Sequence, residues 1–67
     1  QDFPQDYRPA MRLALLYLDE EGEKEVGQRS YDKARQQYDE AETLYAAVAA
    51  QDSDMIRLRE LMAQLPG

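Results

Sequence analysis

A chain of 67 residues with no Cys and no His rules out disulfide staples and the usual thiolate and imidazole zinc sites, and its size holds it to one domain. Fourteen Asp and Glu stand against eight Lys and Arg, a net charge of -6, so no nucleic-acid partner and no anionic membrane surface is expected. The longest apolar run, residues 13–18, is far short of a membrane span, and with no signal-peptide pattern a cytoplasmic location is expected. The start at Gln1 rather than Met suggests a piece excised from a longer protein.

Residues 1–5 show no period and read as a lead-in whose Phe3 can dock on the first helix. Asp6 is placed to cap that helix, over residues 7–21, and Pro9 falls in its first turn, where a missing N–H breaks no helical hydrogen bond. Two apolar stripes run along it, one through Ala10, Leu13, Ala14 and Tyr17, the other through Tyr7, Met11, Leu15 and Leu18. One stripe suffices for an ordinary surface helix, so this one is expected to be buried on two sides. Gly22 ends the helix, and the polar stretch 23–29 with Gly27 reads as a loop.

The segment SYDKARQQYDEAETLYAAVAA, residues 30–50, is the most regular in the chain. Tyr31, Ala34, Tyr38, Ala41, Tyr45 and Val48 recur at spacings of three and four and form one helical face. Alternating small and large members let a neighbouring helix approach at each Ala while a ring packs beside it. Ser30 is expected to cap this helix, with Asp32 in its first turn. Asp32, Arg35, Gln36, Asp39, Glu40, Glu42 and Thr43 read as its solvated side. Asp52 or Ser53 caps a third helix over 54–64 with apolar residues Met55, Ile56, Leu58, Leu61, Met62 and Leu65, and Pro66-Gly67 stops it. The expected fold is all-α, three antiparallel helices, with the third packed mainly beside the second.

Leu13, Ala14 and Tyr17 on the first helix, with Tyr31, Ala34, Tyr38 and Ala41 on the second, resemble one tetratricopeptide (TPR) repeat. The sequence departs from that pattern in a longer turn, in Ala10 where a large aromatic is common, and in Ala46 where Pro usually closes the repeat. Arg35 and Glu42 also replace residues that are commonly apolar. The resemblance covers residues 9–47. It implies a protein-binding scaffold module of a larger, bacterial multidomain chain, the third helix acting as a cap or as the first half of another repeat, and it implies no chemistry.

Other chemistries find little support. The acidic run 19–25 lacks the alternating ligands and the Gly placement of a calcium loop, and Asp52-Ser53-Asp54 is explained by helix capping. Ser30 and Ser53 have no His to activate them. Neither enzyme activity nor a cofactor or metal is expected. Tyr31, Tyr38 and Tyr45 read as core rings with hydroxyls at the rim rather than as a recognition ladder.

A peptide or protein partner is expected on the first helix, on a surface of Arg8, Met11, Arg12, Leu15, Leu18 and Asp19. There Met11, Leu15 and Leu18, left uncovered by the other helices, form an apolar patch between charged neighbours. Alternatively the same stripe packs against an adjacent domain or forms a homo-oligomer, with no diffusible ligand.

Overall fold

The computed structural model describes residues 6–48 and 51–65. Three helices make up the fold: α1 (Arg8–Gly22), α2 (Asp32–Tyr45) and α3 (Ser53–Ala63), with a short 3-10 turn, Val26–Gln28, between the first two. No strand occurs among the described residues. The positions expected for Phe3, for the last residues of the second helix and for the Pro66-Gly67 stop lie outside the described residues.

The starts of α1 and α3 have a local side-chain cause, and that of α2 does not. The Asp6 carboxylate accepts the Arg8 backbone N–H at 3.0 Å, satisfying one of the orphan donors of the first turn, although Tyr7 is already in helical conformation. Pro9 sits in that first turn, where it costs nothing. Asp52 caps α3 through the Asp54 N–H at 2.9 Å. Ser30 does not cap α2. Its backbone N–H donates to the Glu21 carboxylate at 2.7 Å, and the helix begins two residues later with no side-chain cap. The loop before it is ordered by Arg29, whose guanidinium donates to the carbonyls of Gly22 and Lys24, both at 3.0 Å. These contacts close off carbonyls at the end of α1 that Gly22 alone would leave to water.

α1 and α2 form a close hairpin. Ala10, Ala14, Ala34 and Ala41 are all buried, which allows the two helix backbones to approach at small residues while larger side chains fill the sides. The core cluster is Ala10, Met11, Ala14, Ala41, Tyr45, Met55 and Leu58, with Tyr7, Leu15, Leu18, Tyr38 and Met62 packed at its edge. All three helices therefore share one core. The expectation that α3 lies mainly beside α2 is corrected: its backbone runs closer to α1 than to α2. A consequence is that Met11, expected on an open face, is only 3% exposed.

α2 ends at Tyr45, short of the expected 50, and Ala46 to Val48 continue in tighter turns, with Ala47 and Val48 donating back three residues. The Tyr45 hydroxyl then accepts the Asp52 N–H at 2.9 Å, which draws the connection back across the end of the hairpin.

Candidate functional site

Where α3 begins, a polar clamp ties it to both other helices. The Tyr7 hydroxyl donates to the Asp52 carboxylate at 2.5 Å, and the rings of Tyr7 and Tyr45 meet edge to face with centroids 4.8 Å apart. Arg59 of α3 forms a two-point pair with Glu42 of α2, one bond at 2.8 Å, and lies over the Tyr45 ring at 5.2 Å. The proton equilibria follow from these partners. Hydrogen bonding to Asp52 pushes the Tyr7 hydroxyl up to about 12, and the same bond, helped by the Asp54 N–H, holds Asp52 below its usual range. The Arg59 guanidinium lowers Glu42, while burial and then Glu42 raise Tyr38. This end of the molecule is built to hold helices together. Tyr45 is buried and Tyr7 packs against it, so both rings serve the core.

The opposite end of the α1/α3 contact opens. A shallow groove of about 380 Å³ runs between the second half of α1 and one face of α3, lined by Leu15, Leu16, Leu18 and Asp19 on one wall and Arg57 and Leu61 on the other. Leu15 and Leu18 form its half-buried floor, since both also pack against the core. Leu16 is 49% exposed, and Leu13, although it belongs to the same stripe as the buried Ala10 and Ala14, is 39% exposed. Arg8, Arg12 and Asp19 are exposed on the same outward side.

Of the six residues expected on the interaction surface, the structure thus brings Leu15, Leu18 and Asp19 together in the groove and leaves Arg8 and Arg12 exposed nearer the start of α1, Arg8 at the clamp end. Met11 is absent from any surface. The residue missed by the stripe pattern is Leu16, which belongs to neither stripe. Its signal was the unbroken apolar run 13–18, which places apolar side chains on every side of a helix and exceeds what two neighbouring helices can cover.

Among the described residues no group of three or more carboxylates gathers in a metal-holding arrangement, and no polar side chain is buried. No helix among them is long and apolar enough to cross a membrane. No protein-family model, no curated protein and no solved structure matches the chain.

Proposed function

We propose that this chain is a protein-interaction module that presents the outward side of α1, together with the α1/α3 groove, to a protein segment. The observation that carries this reading is the exposure of Leu13 and Leu16 on a helix whose other side already forms the core. Two large aliphatic side chains, Leu16 on the groove wall and Leu13 one turn before it, extend the apolar floor of Leu15 and Leu18 into a patch, and the polar residues Arg12, Asp19 and Arg57 flank it. An apolar centre with a charged rim is the anatomy of a protein contact surface. The groove is too open to enclose a small molecule, and no desolvated titratable side chain lines it, which favours binding over catalysis. The resemblance of the α1/α2 hairpin to a TPR repeat fits the same reading, since such hairpins serve as scaffolds.

A photo-crosslinking amino acid placed at position 16 of the protein, in cells that make it, tests the proposal. Irradiation is expected to give discrete protein adducts at position 16 and none at position 36, where Gln36 is exposed on α2. Equal labelling at the two positions, or no adduct at position 16, overturns it.

A further inference from the structure

We infer that the occupant of the outward side of α1 is the same helix of a second copy, packed antiparallel about a two-fold axis between Leu13 and Leu16. The inference rests on the interaction-surface reading above and names its partner.

The outward side of α1 is self-complementary. A two-fold contact requires that a surface match itself when reversed, so residue i on one helix meets residue j on the other and j meets i. Pro9, Leu13, Leu16 and Glu20 are all exposed and follow one another at spacings of four, three and four along α1, a single straight stripe on the helix surface. Reversal about its midpoint sets Leu13 of one copy against Leu16 of the other, twice, and covers both exposed leucines at once. A parallel two-fold also covers both leucines, each against its own copy, but it sets the two Arg8, Arg12 and Asp19 flanks on opposite sides of the seam, where they cannot meet.

Charge follows the same symmetry. Arg8, Arg12 and Asp19 lie along one flank of this stripe, and in an antiparallel pair that flank faces its own copy. At 1.5 Å of rise per residue, Asp19 of one helix falls midway between the levels of Arg8 and Arg12 of the other, ~3 Å along the axis from each. Each Asp19 therefore meets guanidinium groups, and each Arg12 meets a carboxylate. Arg12 and Asp19 make no ion pair among the described residues, whereas Arg8 is paired with Asp6 at 2.9 Å. The flank of Asp6, Arg8, Arg12 and Asp19 carries no net charge, and Glu20 at the end of the stripe leaves one excess negative charge per copy on this face against the -6 of the whole chain.

One helix of 15 residues, ~22 Å long, covers less than the ~1,200 Å² of total area that marks the low end of specific interfaces. Self-association is therefore reversible and concentration-dependent.

Sedimentation equilibrium of the 67-residue chain from roughly 10 μM to 1 mM tests it. The apparent mass is expected to rise from the 7.8 kDa of one chain toward twice that value and no further. Leu16→Glu should stay monomeric with its far-UV circular dichroism retained. The charge variants give the decisive arm: Asp19→Arg sets three cations together at both ends and should be monomeric alone, Arg12→Asp should associate more weakly than the unaltered chain, and the two should associate more tightly when mixed than either does alone. A chain monomeric throughout the range, a dimer untouched by Leu16→Glu, or charge variants that fail to rescue each other overturns the inference. A monomeric chain that still crosslinks to another protein at position 16 removes the second copy while leaving the interaction-surface reading in place. Absence of both removes the two together.

Discussion

Met11 and Leu16 lie five residues apart on one helix and meet opposite fates. The first is 3% exposed and shares a core with Met55 and Leu58, the second is 49% exposed beside an open groove. Five residues turn an α-helix by roughly 140° relative to the starting side, enough to move from the centre of the covered arc to its outside. The difference teaches that hydrophobicity decides which residues seek cover, while the placement of neighbouring helices decides which of them obtain it. Here α2 takes the alanine side of α1, α3 takes the Met11 side, and the third side stays open.

Met11→Glu should have the largest effect. A carboxylate at this position would stand in the apolar cluster with no partner, a change that ranks with the exceptional losses above ~4 kcal/mol. A single small core rarely supplies more than ~3–5 kcal/mol, so the variant is expected to be unfolded. Far-UV circular dichroism checks this directly, and a helical Met11→Glu chain would place Met11 at the surface as the stripe pattern alone suggests.

Ala41→Phe comes next. Ala41 is fully buried where α1 and α2 approach, so a ring there forces the hairpin apart and should cost ~1–3 kcal/mol in urea unfolding. An unchanged midpoint would mean that the two helices are not held together at their alanines.

Most of the fold was legible in the sequence because helix and cap signals are local. The periodic run containing Tyr31, Ala34, Tyr38 and Ala41 announced α2, and Asp52 announced α3, each within a few residues of the observed bounds apart from the C-terminal end of α2. That end was misread because Val48 continues the period, whereas the chain turns off after Tyr45, whose hydroxyl binds the Asp52 N–H. The side of α1 taken by α3 was not legible for a similar reason. It is decided by contacts across 45 residues, the Tyr7–Asp52 bond, together with the Arg59–Glu42 pair, and no local pattern encodes either. Burying the stripe that contains Met11 moved the candidate site by about a third of a turn, to Leu16.

The clamp itself has a pH signature that sharpens the contrast between the closed and open ends. Tyr7 is raised to about 12 in the folded chain from an ordinary value of 10.0, so the stabilisation it gives is complete below pH 10 and is lost as pH rises through about 12. Asp52 and Glu42 are lowered, so what they contribute is complete above the ordinary carboxylate range and is lost as pH falls through their depressed values, below about pH 4. Thermal unfolding midpoints should therefore fall at both extremes. Tyr7→Phe is expected to lower the midpoint at neutral pH and to flatten much of the alkaline limb, leaving most of the acid limb in place, since Glu42 keeps Arg59 and Asp52 keeps the Asp54 N–H. An alkaline limb of the same depth in Tyr7→Phe would show that the Tyr7–Asp52 bond does not hold α3.

The smallest effect is expected at Leu16→Glu, and its smallness is the informative result. Leu16 lies outside the core cluster and beyond the residues packed at its edge, so a carboxylate there remains in water and loses only the contacts along the groove wall. Surface changes of this kind shift stability by no more than ~0.5 kcal/mol. Glu is also no worse a helix former than Leu to any great extent, so the backbone of α1 should tolerate it. The unfolding free energy of the chain, measured at a concentration where it is monomeric, is thus expected to match that of the unaltered protein. The same substitution that destroys the fold at Met11 is then silent at Leu16. A loss of several kcal/mol at Leu16 in the monomer would show that this side of α1 is covered from within the chain, and the candidate surface would have to be given up.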